Sequence, residues 1–273
     1  MKRIAFLILS LTLLVFYSCE KNGGKSSYVF PPAPYVGQAV RYINVEPGAD
    51  IQSVSFTEGG TYLLCRKPDA QKPKQYKAGG YTVDDEGVYH LTGYGTVKKG
   101  GTKAQATDEL TFTPTDGEPV TIPCTMELAG ESGDLFRQWK VVTTRVKFSG
   151  DMTIAADFDG CDLNQICSFL KTNGVIDRDS FPAGQKVTLV DISSLGEITV
   201  LYQNGKVDHA TITNQSVSSL DYQWDDPGMG YGFEIGKATV DYDGDTCIFS
   251  VLGQFKGNGK TIQIALMWAL KQK

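Results

Sequence analysis

The chain has 273 residues, of which 41% are hydrophobic and 21% charged, and its net charge at pH 7 is −5. An acidic chain of this kind is poorly suited to nucleic acid or to an anionic membrane surface as its main partner. Its length allows one large β domain or two smaller ones.

The first predicted element is a signal peptide over residues 1–18. Lys2 and Arg3 precede an apolar run over residues 4–15, which is shorter than the roughly 20 residues of a transmembrane helix. The run leads into Phe16-Tyr17-Ser18-Cys19, with a small residue directly before the cysteine. This ending resembles the lipobox of Bacteroidetes-type bacterial lipoproteins, although an aromatic pair stands where an aliphatic and a small residue are usual.

The resemblance implies cleavage before Cys19 and lipidation of that cysteine, with residues 19–30 as anchor and tether. Two or more acyl chains give stable membrane attachment. Loss of Lys2 and Arg3 with the leader leaves 24 basic and 31 acidic residues, a net charge of −7. We therefore expect a cell-envelope protein attached through Cys19, at the outer membrane, with neither face chosen. An ordinary secretion signal with an incidental Cys19 is the alternative.

The rest of the chain is predicted to be mainly β. Glycine-containing turn signals recur at short intervals, and the runs between them are rich in Val, Ile, Thr, Tyr and Phe. This pattern of short strands and close turns favours antiparallel sheets or an up-and-down barrel. A Gly-Ser-acidic stretch at residues 129–134 and a change in aromatic composition suggest a smaller N-terminal β domain over 31–134 and a second over 135–273.

Within the second half, one helix and several strands are predicted. Leu163, Ile166, Cys167 and Leu170 have helical spacing, with Asp162 able to cap the start, so we expect a helix ending near residues 173–174. Strict alternation over residues 261–270 predicts a strand with one buried face. Residues 197–203 and 206–213, joined by Asn204-Gly205, predict a hairpin.

A weak internal similarity links residues 51–66 with residues 186–203. Each segment consists of an apolar strand, a short turn containing glycine and a second apolar strand. Since any β-hairpin has this form, we interpret the similarity as an ordinary hairpin pattern.

The order of elements in the second half resembles that of the lipocalin-like domains of Bacteroidetes lipoproteins. Trp139 opens the first strand of this half, and a helix and successive hairpins follow; Arg137 stands where true lipocalins have glycine. The resemblance implies an eight-stranded barrel over residues 135–273. Its interior could hold one small apolar ligand or be filled by side chains.

Cysteine usage leaves two interpretations open. Besides Cys19 there are five cysteines, at positions 65, 124, 161, 167 and 247. Exported proteins can oxidise such residues to two bridges and one free thiol. Apolar neighbours around several of them favour core packing instead.

No catalytic, metal or cofactor motif is present, and we expect neither an enzyme nor a cofactor. The sequence lacks the serine-hydrolase, zinc-protease, P-loop and dinucleotide-binding patterns, and it has only two histidines, His90 and His209. Adjacent acids, Asp84-Asp85 and Asp225-Asp226, could serve a glycoside hydrolase, but solvated turns explain such pairs better.

Residues 221–233 are the best candidate for a ligand site. Tyr222, Trp224 and Tyr231 surround the acidic turn at Asp225 and Asp226. Aromatic rings stack on the apolar faces of sugars while carboxylates accept hydrogen bonds from hydroxyl groups. Burial of Trp224 in the core, with a solvated turn, is the alternative interpretation.

Three functions remain open at this point. The first is binding of a small apolar molecule or a glycan by a lipid-anchored envelope protein. The second is a structural or assembly role through pairing with another envelope protein. The third is a glycoside hydrolase with an unrecognised carboxylate site.

Overall fold

The computed structural model describes residues 38–100, 108–130, 135–150, 154–159, 161–174, 176–177, 186–216, 218–225, 235–243, 245–257 and 260–272. The described chain is mainly β, with antiparallel strands and a short helix, as the sequence predicts. The proposed leader and Cys19, together with Asp226 and Tyr231, lie outside the described residues. No helix in the described ranges combines the length and the apolar character needed to span a bilayer.

The first sheet is a closed, eight-stranded up-and-down barrel. Each strand pairs with the next along the chain, and the first pairs with the last through partners such as Tyr42 and Met126. Its strands are β1 (Val40–Asn44), β2 (Ile51–Phe56), β3 (Thr61–Arg66), β4 (Gln75–Val83), β5 (Tyr89–Leu91), β6 (Gly95–Gly100), β7 (Asp108–Pro114) and β8 (Val120–Leu128).

The second sheet contains another eight-stranded up-and-down barrel, with two short strands added at its edges. Strand β9 pairs with both β18 and β12, so that β9 and β12 to β18 close a ring, while β10 and β11 flank it. This is the architecture that the lipocalin-like resemblance implies. Its strands are β9 (Gln138–Gly150), β10 (Ile154–Asp159), β11 (Cys161–Asp162), β12 (Lys186–Ser193), β13 (Glu197–Tyr202), β14 (Val207–Gln215), β15 (Ser219–Trp224), β16 (Ile235–Asp243), β17 (Thr246–Gly257) and β18 (Lys260–Gln272).

Helix α1 (Leu163–Thr172) forms where the apolar spacing predicts it. The carboxylate of Asp162 accepts hydrogen bonds from the backbone N–H groups of Asn164 and Gln165, at 2.9 and 3.4 Å, and so caps the helix. The apolar side of the helix packs into the same core cluster as the barrel interior, with Phe169 stacked on Phe148 at 5.7 Å between ring centroids. The helix therefore completes the core of the second barrel.

The predicted strand over residues 261–270 and the predicted hairpin are both present. On β18, Leu266, Trp268 and Leu270 are buried, whereas Gln263 is exposed. Strands β13 and β14 form the hairpin, and Gly205 at its turn has a φ of 79°, a left-handed conformation that glycine adopts without steric cost.

The cysteines that can be placed are packed in the cores. Cys65, Cys124, Cys167 and Cys247 are buried free thiols; the side chain of Cys161 lies outside the description. Burial raises the pKa of Cys124 and of Cys247 to about 12, so both remain uncharged at neutral pH. These four side chains act as small apolar core groups.

Candidate functional site

The two barrels contact each other through equivalent hairpins. Strands β2 and β3 are second and third in the first ring, and β12 and β13 are second and third in the second ring. The hydroxyl of Thr57, after β2, donates to Asp191 Oδ2 on β12 at 3.0 Å, and Ser193 Oγ donates to Glu58 Oε2 at 3.1 Å. The two segments that share the weak sequence similarity therefore meet at the contact between the barrels.

The contact requires a close backbone approach at Gly59, in the turn between β2 and β3. A Cβ atom on Gly59 would lie 2.5 Å from Gln138 Cγ and 2.6 Å from Asp191 Oδ2. Both distances are well inside van der Waals contact. Only glycine fits at this position while the barrels remain in contact.

Three carboxylates are buried at this contact. Glu58, Asp191 and Glu197 are each at most 7% exposed. Arg41 on β1 offsets one of the charges, since its Nη2 lies 2.8 Å from Glu197 Oε1. Burial, together with the negative charges of Glu58 and Glu197, raises the pKa of Asp191 to about 7, although hydrogen bonds from Thr61 and Thr57 oppose the shift.

Next to the contact, a cleft of about 790 Å³ opens between the barrels. This volume lies within the range of about 300–1,000 Å³ that is typical of small-molecule sites. The first barrel supplies the segment before β4 and the start of that strand, and the second supplies β14 and the end of β15. The lining residues are Pro73, Lys74, Gln75, Tyr76, Val207, Asp208, His209, Thr211, Gln223, Trp224 and Asp225.

Tyr76, His209 and Asp225 form an ordered array in the wall of this cleft. The ring of Tyr76 is stacked on the imidazole of His209, with 4.6 Å between centroids and an interplanar angle of 26°. The Tyr76 hydroxyl donates to Asp225 Oδ2, and His209 Nδ1 lies 3.0 Å from the same oxygen. On the far side of the imidazole, Nε2 lies 3.7 Å from Glu197 Oε1. The array thus joins the first barrel to three neighbouring strands of the second.

The charges of the array support one another. Burial lowers the pKa of His209, but Asp225 and Glu197 outweigh it, and the net pKa is raised above its usual value. Burial acts to raise the pKa values of Asp225 and Glu197, yet contact with His209, helped by Tyr76 and Arg41 respectively, holds both below their usual range. The structure therefore favours an imidazolium between two carboxylates.

The sequence-predicted candidates Tyr222, Trp224 and Asp225 occupy different positions. Trp224, 6% exposed, and Asp225 both line the cleft. Tyr222 is 1% exposed, because the alternation of β15 directs it into the barrel, where it contacts Trp224 edge to face at 5.6 Å. Tyr222 therefore offers no ring face to a ligand.

Sequence reasoning missed Tyr76, His209 and Glu197 as parts of a site. Tyr76 lies at the end of a basic loop, and Glu197 stands on what the alternation predicts as the solvent face of a hairpin. The one available signal was the pair Asp208-His209, which is followed in its strand by the apolar and hydroxyl residues 210–213.

Among the described residues, the aromatic part of the second barrel's interior is closely packed. A cavity of only about 10 Å³ lies between these side chains, no larger than the space for a single water molecule. The lining residues are Ile198, Tyr222, Trp224, Phe249, Val251, Leu266 and Trp268. This part of the interior is filled by side chains.

Within the described ranges, no group of three His, Cys, Asp or Glu side chains is placed to hold a metal ion. The array at His209 is instead a hydrogen-bonded and ion-paired cluster.

Comparison with known proteins adds little to this geometry. No family model and no curated protein match the sequence. Among solved structures the chain is similar to the di-domain ARO/CYC StfQ from the steffimycin biosynthetic pathway, at 9% identity over 91% of this chain and 85% of that chain, with a TM-score of 0.19. A likeness at this TM-score carries no argument about fold or function.

Proposed function

We propose that the protein binds a hydroxyl-rich small molecule, of the glycan class, in the cleft between its barrels, and that it acts by binding and not by catalysis. The observation that carries this proposal is the Tyr76–His209–Asp225 array in the cleft wall. Concave sites with a few convergent, pre-ordered polar groups are the usual form of small-molecule sites.

The chemistry of the lining suits a sugar better than an apolar ligand. Asp225 uses Oδ2 for Tyr76 and His209, whereas Oδ1 has no hydrogen-bond partner in the described part of the chain and can accept from a ligand hydroxyl. Gln75 and Gln223 add amide donors and acceptors. Tyr76 adds aromatic surface, to which the apolar face of a sugar ring can pack, whereas Trp224 is buried in the core of the second barrel.

The described part of the second barrel's interior leaves an apolar ligand little space. The barrel interior that would hold such a molecule contains a cavity of about 10 Å³. Opening it would require displacing tightly packed aromatic side chains, at a cost of several kcal/mol. This contrast favours the glycan over the small apolar molecule.

Attachment to the cell envelope is the second part of the proposal. The leader pattern that ends at Cys19 supports a lipid anchor at the outer membrane, with residues 19–30 as tether. We expect the wild-type protein to incorporate radiolabelled palmitate in cells and Cys19→Ala to incorporate none. Equal labelling of the two proteins would contradict the anchor.

Binding can be tested with the full chain in a sugar-free detergent on an array of neutral and acidic glycans. Tyr76→Ala and Asp225→Asn are expected to weaken binding by tenfold or more. The matched controls are Tyr94→Ala and Asp241→Asn, a half-buried tyrosine and an exposed aspartate outside the cleft. Binding that survives in both cleft variants, or no binding by the wild type, would contradict the proposal.

A structural role is a second candidate, and one observation favours it. The first barrel exposes a group of large apolar side chains on or beside the paired strands β1 and β8, where exposed groups on a free surface are usually polar. They are Ile43, Val45, Val120, Met126 and Leu128. Met126 and Leu128 pair with the buried Tyr42 and Val40 and so lie on the inner face of the sheet at one end of the barrel, whereas Ile43 lies on the outer face. An envelope protein that covered that end of the barrel would bury Met126 and Leu128.

Site-specific photo-crosslinking in cells tests this candidate. A photoreactive residue at Met126 is expected to capture one defined envelope protein, whereas one at the exposed Lys98 on β6 is not. Identical product patterns at the two positions would count against a partner at β1 and β8.

A further inference from the structure

The imidazole of His209 lies between two carboxylates, with one in hydrogen-bond contact and the other at ion-pair distance. Asp225 Oδ2 lies 3.0 Å from Nδ1, and Glu197 Oε1 lies 3.7 Å from Nε2. A neutral imidazole has a single N–H, so one of its nitrogens would present a lone pair to a carboxylate. An imidazolium presents an N–H to each.

Solvent cannot relieve this requirement, because the His209 side chain is only 7% exposed. Tyr76 covers one face of the ring, and the strands on either side hold Glu197 and Asp225 in place. A lone pair facing a carboxylate in such surroundings is costly.

The other charged and titratable groups around the ring are few. On the first barrel they are Arg41 on β1, 2.8 Å from Glu197, Cys65 on β3, Tyr76 on β4 and Lys74 before β4. On the second barrel Asp208 precedes His209 on β14 and accepts a hydrogen bond from Tyr202. Burial raises the pKa of the Cys65 thiol, which is therefore uncharged at neutral pH. Arg41 offsets the charge of Glu197, while Lys74 is exposed to solvent and acts on both Cys65 and Asp225. The charge of His209 is therefore the main internal counter-charge of Asp225.

The two groups that His209 contacts within the cleft wall, Tyr76 and Asp225, are also the ones proposed to meet the ligand. The imidazolium fixes the orientation of the Asp225 carboxylate, and the stacked ring fixes Tyr76. Loss of the proton from Nε2 would leave a neutral Nδ1–H as the donor to Asp225, which is a weaker hydrogen bond than that of the imidazolium, and would remove the positive charge between the two carboxylates. The Asp225 carboxylate, and with it the acceptor Oδ1, would then be held less firmly.

We propose that His209 is a positioning residue which makes ligand binding pH-dependent: the cleft binds its glycan while the imidazole is protonated and releases it as the pH rises. This inference rests on the proposed function and adds its regulation. In an envelope protein the site would capture ligand at a pH below the pKa of His209 and lose it at a pH above that value.

The experiment measures affinity and histidine titration in the same protein. Isothermal titration calorimetry measures the Kd of the full chain in sugar-free detergent at pH values from 5.5 to 9. The ligands are maltotetraose, cellotetraose and chitotetraose, and then the glycan that binds most tightly on the array. Kd is expected to rise about tenfold per pH unit above the pKa of His209, as one linked proton requires. The ring proton signals of His209, followed by NMR, locate that pKa independently, and its value is expected above 6.5.

Two variants and one control test whether His209 positions the binding groups or only supports the fold. His209→Gln is expected to bind weakly, with a Kd that does not change with pH. Glu197→Gln removes one of the two negative charges beside the imidazole and is expected to move the midpoint of the Kd profile to lower pH. His90→Gln, which alters the exposed histidine paired with Asp84, is expected to retain the wild-type profile. Thermal melting shows that each variant is folded.

The outcomes are distinct. Tight wild-type binding whose Kd is constant from pH 5.5 to 9 overturns this inference and leaves the proposed function in place. A pH-dependent Kd that persists in His209→Gln also overturns it. No glycan binding at any pH overturns the proposed function and this inference together.

Discussion

Asp191 is enclosed between the two barrels, and its Oδ1 atom is buried without a hydrogen-bond partner in the described residues. Its pKa of about 7 lies above the value of 3.8 for an exposed aspartate. The folded state therefore binds this proton more tightly than the unfolded state does. The stability that the proton contributes is complete below pH 3.8 and is lost as the pH rises through 7.

Asp191→Asn should therefore stabilise the protein at alkaline pH. An asparagine keeps an oxygen for the Thr57 hydroxyl without carrying a charge. Urea unfolding at pH 8 is expected to show a gain of about 2 kcal/mol over the wild type, and at pH 4 no gain. Asp241→Asn, at an exposed position on β16, is the control and should show no such difference between the two pH values.

At the scale of single elements, the hairpin of β2 and β3 shows how a turn fits one barrel to the other. Gly59 has no room for a Cβ atom because the neighbouring backbone and side chain of Gln138 belong to the other barrel. The turn is therefore constrained by a contact remote in the sequence and not by its own conformation.

Gly59→Ala is expected to destabilise the protein by about 1–3 kcal/mol, the usual cost of forcing a methyl group into a closed contact. Urea unfolding measures the loss. The control is Gly130→Ala, where a Cβ atom would meet nothing within 4 Å. Equal stability of the two variants would show that the barrels do not close on Gly59.

Helix α1 provides the second element with a testable local feature. Asp162→Ala removes the acceptor for the N–H groups of Asn164 and Gln165 and should lower stability by about 1 kcal/mol. Asp162→Ser retains an acceptor and should preserve most of the stability. If chemical unfolding gave the same loss for both variants, the cap would not be the cause.

At the scale of the whole molecule, the ionisable groups between the barrels give stability a defined pH window. His209 and Asp191 have raised pKa values, so their contributions are lost as the pH increases. Glu197 and Asp225 have lowered pKa values, so theirs are present above about pH 4.5 and lost in acid. His209 and Asp191 therefore shape the alkaline side of the stability–pH profile, and Glu197 and Asp225 shape its acidic side.

The melting temperature is therefore expected to peak near pH 4.5, where Glu197 and Asp225 contribute fully and Asp191 has lost little of its contribution, and to fall more steeply above pH 6.5, where the contribution of His209 is lost as well. Differential scanning calorimetry across pH 3 to 9 measures the profile. His209→Gln should flatten the alkaline limb relative to His90→Gln. A melting temperature that rises steadily to pH 9 would contradict these charge assignments.

Sequence patterns determined the parts of this fold that depend on neighbours along the chain. Alternation fixed the buried face of β18, Asn204-Gly205 fixed the turn between β13 and β14, and Asp162 fixed the start of α1. Each of these features depends on local backbone geometry or on the burial of one face of a strand or helix. Both causes produce a recognisable pattern in the local sequence. The leader that ends at Cys19 is likewise a local pattern, and its prediction stands on the sequence alone.

The candidate site depended on contacts that no local pattern records. Glu197 lies on a hairpin face that alternation predicts as solvated, yet the first barrel covers it. Tyr76 and His209 are 133 positions apart in the sequence and meet only because two closed barrels pack through their second and third strands. The first barrel is closed and offers no free strand edge, and at this contact the two barrels meet through polar side chains such as Thr57 and Asp191. Tertiary packing thus decided which ordinary strand residues became a buried charged array.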